Sequence, residues 1–295
     1  MTERIIDISD GPARLSVRYS QIIIEQDGES HSVPSSELVA LIVSHPAVTY
    51  THAVLSSICA GGGAFVLCDE KRLPTGMLLP IQANYVQAER LSVQTKASLP
   101  KKKQIWKQLI QAKISAQGRL LITRNGKDMG LMQIAKRVRS GDPHNLEAQA
   151  SRRYWPALFG RVFQRDPFRE DQNRLLNYGY AILRAMTARS ICAVGLHPSL
   201  GVHHHNRYDP FCLAEDVMEP FRPLIDGTVA GIVDEKGSNV PLNKETKAHL
   251  ISAIVSKRFE LDEEERSLFD VMARVSSSLL AVFKGDRCKL LLPEL

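Results

Sequence analysis

The chain has 295 residues, 44% of them hydrophobic, enough to bury a sizeable interior in one or two domains. Its five cysteines include no C-x-x-C pair, which argues against a thiolate zinc site and a disulfide framework. No apolar run reaches the length of a membrane span, and the opening MTERIIDISDG lacks the order of a secretory signal, so the expected compartment is the cytoplasm. The net charge of +6 is unevenly spread. Residues 1–80 carry 5 Lys and Arg against 9 Asp and Glu, whereas residues 81–140 carry 13 against only Glu89 and Asp128. Such a concentration points to a bound polyanion, although a solvated helix face rich in lysine is the plain alternative.

The first eighty residues read as β structure. Arg4–Ile8, Arg14–Tyr19, Gln21–Glu25 and His31–Val33 are short and rich in β-formers, with Asp10-Gly11 and Asp27-Gly28 as turn dipeptides. Val39–Val43 fits strand or helix equally by periodicity. Thr51 is placed to cap a helix through about Ala60, which Gly61-Gly62-Gly63 stops. That triplet lacks the Lys-Ser/Thr ending and spacing of a phosphate loop. Ala64–Cys68 reads as a buried strand, Leu73-Pro74-Thr75-Gly76 as a turn, and Met77–Leu79 as a last strand.

After Pro80 the period changes. Helices are predicted over Tyr85–Ala97, Lys103–Ala116, Gly130–Ser140, Leu146–Tyr154, Asp171–Thr187, Leu213–Leu224, Asn243–Arg258 and Glu263–Phe283. The acid run Asp262–Glu265 suits the first turn of the last helix. The tail Lys289–Leu295 reads as a strap or partner contact. The expected class is α+β, with a β-rich domain over residues 1–82 and a larger all-helical domain over 83–295.

The chemistry concentrates in GVHHHNRYDPFCLAEDVMEPFRP, from Gly201 to Pro223. Asp216 and Glu219 stand three apart, on one helix face, among Leu213, Val217, Met218 and Phe221. Consecutive histidines cannot all face one point, and spacing does not choose among His203, His204 and His205. Carboxylates with an imidazole suit Mg²⁺ or Mn²⁺ better than structural zinc, although a solvated acidic helix explains the spacing as well. Two acids and one histidine leave an ion short of protein ligands. Glu147, the one acid from Leu146 to Gln164, is the candidate for the third, and a plain pairing with Arg152 or Arg153 is its alternative.

NLEAQASRRYW, NRLLNYGYAILRA from Asn173, and the histidine-acid stretch together closely resemble the integrase of the CRISPR adaptation module, the family called CRISPR-associated protein one. The ending EPFRP is most similar to type II members. The resemblance implies that Glu147, His204 and Glu219 bind a divalent metal, Mg²⁺ or Mn²⁺, with Asp216 lining the same site as a further catalytic acid. The triple histidine departs from the family pattern. Asn177 and Tyr178 lie in the second motif, where packing and DNA contact account for them equally. The implied activity is a DNA integrase and endonuclease that inserts short segments into a CRISPR repeat array. In it, a 3′-hydroxyl attacks a phosphodiester, and Asp216 or water takes the proton. Lys101, Lys102, Lys103, Lys107 and Lys113 would hold phosphates of double-stranded or branched DNA without reading sequence. The implied partners are a second copy through the β domain, a small ferredoxin-like companion and the type II RNA-guided effector nuclease. The rival readings are a non-catalytic DNA-binding scaffold with structural acids, and a metallohydrolase of small phosphoesters.

Overall fold

A computed structural model describes residues 3–69, 74–80 and 84–294. Eight strands, with one α-helix among them, form two sheets. β1 (Arg4–Ile8), β2 (Arg14–Arg18), β3 (Gln21–Gln26), β4 (Glu29–Pro34), β5 (Leu38–Val43) and β6 (Thr49–Tyr50) precede α1 (His52–Ala60), β7 (Ala64–Cys68) and β8 (Pro74–Leu78). One sheet has the order β1-β5-β7-β8 and the other β4-β3-β2-β6. β1, β5 and β7 are parallel, and β8 returns antiparallel against β7.

β5 shows why periodicity could not classify residues 39–43. All six of its residues are buried. Leu38, Leu41 and Val43 pack into a small core with Leu15, Ile22, Val54, Ile58 and Phe65. Val39, Ala40 and Ile42 belong instead to the large core shared with the helices. A strand covered on both faces reads as a continuous apolar run rather than an alternation. The glycine triplet is a helix stop, as expected: Gly62 has φ +74°, and a Cβ on Gly63 would stand 2.6 Å from the Leu38 carbonyl oxygen.

The helical part comprises α2 (Gln87–Thr95), α3 (Leu99–Asn125), α4 (Leu131–Arg137), α5 (Leu146–Phe159), α6 (Asn173–Ala193), α7 (Cys212–Met218), α8 (Arg222–Lys236), α9 (Lys244–Ser256) and α10 (Leu268–Lys284). The two sheets followed by this helical region confirm the α+β class. The expected boundary at residue 82 lies outside the described residues, as does Leu73 of the predicted turn. Thr75 and Gly76 of that turn are strand residues, because Gly76 pairs with Leu67 in β8.

α3 is the spine. Its 27 residues span about 40 Å. Pro100 does not end a helix but opens this one, since an N–H is unpaired there anyway. Gly126 closes it at φ +73°, with its N–H on the Ile122 carbonyl. The buried stripe of α3 includes Ile105, Trp106, Leu109, Ile110, Lys113, Ile114, Gln117 and Leu121. A lysine and a glutamine therefore stand on its core side.

Two expectations need correction here. The helix predicted over Leu213–Leu224 is α7, a single 3-10 turn at Glu219–Phe221, and α8, which continues to Lys236. Pro220 and Pro223 remove two helix N–H donors at this joint. The acid run Asp262–Glu265 is not the start of the last helix. Asp262 and Glu263 are the turn of a hairpin, β9 (Arg258–Leu261) with β10 (Glu264–Ser267), and Glu264 and Glu265 open its second strand. Phe259 and Leu261 are buried while Arg258 and Glu260 are exposed, a two-residue period too short to override the neighbouring helical pattern. Helix α10 begins only after Ser267, whose Oγ accepts from the Asp270 N–H at 3.2 Å. The tail does act as a strap: Leu290 N–H donates to Gln108 Oε1 at 2.8 Å and Leu291 N–H to Ser278 Oγ at 3.0 Å.

Asp262 and Glu263 have φ +54° and +63°, the paired left-handed conformation of a two-residue hairpin turn. The variant Asp262→Asn/Glu263→Gly should therefore raise unfolding stability by roughly 1 kcal/mol in denaturant titration, as it relieves a left-handed non-glycine residue.

Candidate active site

Glu147 owes its position to a doubly capped helix start. Asn145 Oδ1 accepts from the Ala148 N–H at 3.2 Å, and Asp142 accepts from the N–H groups of Leu146 and Glu147 at 2.9 and 3.0 Å. Its carboxylate, from the first turn of α5, meets Lys113 Nζ at 2.6 Å. Glu219, only 4% exposed at the α7–α8 joint, meets the same Nζ at 2.5 Å. One ammonium thus joins two carboxylates that lie 72 positions apart in sequence.

The other oxygen of Glu219 accepts from Arg222 Nε at 2.9 Å. Arg222 also reaches Glu215 at 2.5 Å and lies 4.6 Å over the Tyr180 ring. Burial would raise the Glu219 carboxyl, but Arg222 and Lys113 outweigh it and hold it at about 2. Burial likewise opposes the Lys113 charge, and Glu219 and Glu147 overcome it, so its pKa rises. Glu219 and Lys113 are therefore both charged at neutral pH.

Beneath this layer, Asp226 accepts from the Tyr154 hydroxyl at 2.7 Å and from the Tyr180 hydroxyl. These three side chains, at 1%, 0% and 7% exposure, form a floor under Arg222.

The histidine loop is held by Asp216. This carboxylate, 0% exposed, accepts from the N–H groups of Val202, His203 and His204 at 2.7, 3.0 and 3.2 Å. It also pairs with His204 Nδ1 at 2.6 Å. Engaging Nδ1 leaves Nε2 as the outward nitrogen of His204. Gly201 permits the fold of the loop, since a Cβ there would stand 2.4 Å from the His204 carbonyl oxygen and 3.0 Å from Asp216 Oδ2. His203 stacks flat on Trp106 of α3, with centroids 4.0 Å apart, and His204 meets the same ring edge-on at 5.5 Å. The Asp216 bond raises the His204 pKa against burial, whereas burial lowers that of His203. His205 is exposed.

The expected residues therefore gather with a different division of labour. Asp216 is closed to solvent, and both of its oxygens are engaged in clamping the histidine loop. Lys113 is not a surface phosphate contact; it is buried between two carboxylates. Of the remaining lysines, Lys101 donates to the Phe283 carbonyl at 2.9 Å, Lys102 and Lys107 are half-buried, and Lys103 is exposed. Asn177 holds the 160–172 loop through Arg165 and the Pro167 carbonyl, while Tyr178 donates to Asp7 at 2.7 Å beneath Lys247. Packing accounts for both. Trp106 and Arg222 were missed as site residues, and Lys113 was expected only as a contact to DNA phosphates. The signal for Lys113 was its phase, in line with Leu109, Ile110 and Gln117 on the apolar stripe.

As a test for a divalent cation, the donor chemistry fits and the spacing is taken up by lysine. Two carboxylates and an imidazole suit Mg²⁺ or Mn²⁺. Glu219 Oε2 is buried without a well-formed hydrogen bond; Lys113 approaches it only as an ion pair. Among the described residues, no three or more His, Cys, Asp or Glu side chains stand close enough to hold an ion directly. Lys113 Nζ stands between Glu147 and Glu219.

Residues 7–255 match the family described as CRISPR associated protein Cas1. A CRISPR-associated endonuclease Cas1 of Neisseria meningitidis serogroup C (strain 8013) is 35% identical over 299 aligned residues, covering 100% of this chain and 97% of that protein. The chain belongs to the Cas1 family. Three solved structures share its fold. A casposase bound to integration product superposes with a TM-score of 0.80 at 18% identity, over 98% of this chain and 92% of the other. A CAS1 protein from Thermotoga maritima gives 0.79 at 16% identity, over 96% and 97%. A chain of a Cas6-RT-Cas1–Cas2 complex gives 0.79 at 15% identity, over 99% of this chain and 36% of that longer one.

Burial raises the Asp226 carboxyl to about 6 against the pull of the two tyrosines and Arg222. The folded chain then keeps this proton longer than the unfolded chain, so stability falls as pH rises from the ordinary carboxyl range to about 6 and is level above. Chemical unfolding of wild type and Asp226→Asn between these limits should show the loss, roughly 3 kcal/mol, in wild type alone.

Proposed function

We propose that this chain is a metal-dependent DNA integrase and endonuclease that inserts short DNA segments into a CRISPR repeat array. The observation that carries the reading is the meeting of Glu147 and Glu219 beside the Asp216-fixed His204, in a chain alike over its whole length to a protein named an endonuclease. Glu147, Glu219 and the outward His204 Nε2 are the residues that would hold Mg²⁺ or Mn²⁺. When bound, the ion would supply stabilisation of charge on the phosphoryl group under attack and polarisation of the attacking or leaving oxygen.

The chain's own residues do the rest. Arg222 keeps Glu219 ionised and oriented, so no proton competes for that carboxylate at any physiological pH. Asp216 fixes the His204 tautomer and the backbone that carries it. Exposed basic residues along α3 and the loops after it, Lys103 among them, would hold the DNA phosphates still while the 3′-hydroxyl of the incoming segment reaches the phosphodiester. With Asp216 closed off, solvent is the acceptor for the hydroxyl proton. Pairing with a second copy through the β-rich part, and assembly with a small ferredoxin-like companion, would set the spacing of two such sites on one repeat. The type II effector nuclease would choose the segments. A complex containing both Cas1 and Cas2 has been solved for a chain of this fold, which supports the companion. Among the described residues no helix is long and apolar enough to cross a membrane.

A second reading, a DNA-binding scaffold with structural acids, is favoured by the two ion pairs of Lys113. Strand transfer into branched DNA by the chain and its purified companion, with Mg²⁺ or Mn²⁺ and chelator controls, separates the two. The proposal expects Glu147→Gln, His204→Ala and Glu219→Gln each to lose about 10–100-fold or more in joining while DNA retention on filters changes little. Joining that persists in all three variants contradicts the site, and full DNA binding with no joining in either metal supports the scaffold.

A further inference from the structure

We infer that Lys113 is a built-in counter-cation that occupies the divalent site in the metal-free protein, and that an incoming ion must displace its ammonium from between Glu147 and Glu219. The inference rests on the metal-binding reading above and adds how that site is gated.

The distances carry it. Nζ lies 2.6 Å from a Glu147 oxygen and 2.5 Å from a Glu219 oxygen. A divalent ion shared by those oxygens at its usual distance of about 2.0–2.2 Å would stand nearly on the nitrogen, so the two cations exclude each other. Glu219 is buried and Glu147 half-buried, and Arg222 serves only the other oxygen of Glu219, so Lys113 is the cation that the two carboxylates share.

A place for the displaced group exists as well. Gln117 is 2% exposed, one helical turn beyond Lys113 on the same face of α3, and its Oε1 has no hydrogen-bond partner. An unpaired buried acceptor is uncommon enough to need a reason. Receiving the lysine ammonium when the carboxylates take a divalent ion provides one. The lysine would thus keep the site folded without metal, lower its apparent affinity, and discriminate against cations too weakly held to expel it.

The test is Mn²⁺ binding followed by the loss of the free-ion electron paramagnetic resonance signal, with no DNA and no turnover. Lys113→Met should bind Mn²⁺ about tenfold or more tightly than wild type, because the competitor is gone. The same variant should melt lower than wild type in chelator and recover when Mn²⁺ is added. If Lys113→Met does not purify folded, Lys113→Gln, which keeps a neutral donor beside the carboxylates, should show the same tightening. Gln117→Leu should weaken Mn²⁺ binding when Lys113 is present and leave it unchanged in Lys113→Met. Binding that weakens or stays equal without Lys113, while Glu147→Gln and Glu219→Gln still abolish it in wild type, overturns the inference alone. Binding indifferent to both glutamates overturns the metal-binding reading and the inference together.

Discussion

The ion triad Glu147–Lys113–Glu219 ties together three elements that also share the large apolar core: the start of α5, the middle of α3 and the joint between α7 and α8. Each carboxylate is anchored in its own segment, Glu147 by the Asp142 and Asn145 caps and Glu219 by Arg222. The lysine determines how far apart they stand. Removing one partner of such a buried group generally costs about 3–5 kcal/mol, since the remaining charges lose their compensation. The triad is therefore both a structural staple and the feature that shapes the candidate site.

Around it the helices provide rigidity rather than chemistry. α3 supplies Lys113 and, two turns earlier, Trp106, the surface on which His203 stacks. α7 supplies Asp216, which organises the histidine loop from below by accepting three backbone N–H groups and the His204 ring. The floor of Tyr154, Tyr180 and Asp226 supports Arg222, and Arg222 in turn supports Glu219. The sheets lie behind α6, joined to the large core through Ile5, Val39, Ala40, Ile42 and Val66. Charge is graded from a closed floor to an exposed histidine, as expected of a site that must hold ionised ligands while admitting a large substrate.

Much of this was legible in the residues. The α+β order, most strands and the glycine stop after α1 followed from periodicity and turn dipeptides, while the expectation that Glu147 and Glu219 lie near one another came from the family resemblance. What stayed hidden has physical causes. β5 is covered on two faces, so its pattern has no period. The β9–β10 hairpin turns on Asp262 and Glu263, residues in φ > 0 without a glycine to mark it. Pro220 and Pro223 lie at a joint where the chain remains helical in its angles, so spacing across it was right while the element was not. Lys113 looked like one basic residue among thirteen in its stretch, and only its phase within the α3 stripe set it apart. Asp216 was read as a chemical group from its spacing to Glu219 and from the resemblance; its four hydrogen bonds to the histidine loop depend on how the chain folds back over the 12–14 positions that separate them.

The most direct measurement is a crystal structure of the protein soaked in Mn²⁺, with anomalous scattering used to locate the metal. The account predicts one strong peak within coordination distance of Glu147, Glu219 and His204 Nε2, and Lys113 Nζ withdrawn from both carboxylates. A Mn²⁺-saturated crystal with no peak there, and Lys113 still paired with Glu147 and Glu219, would contradict it.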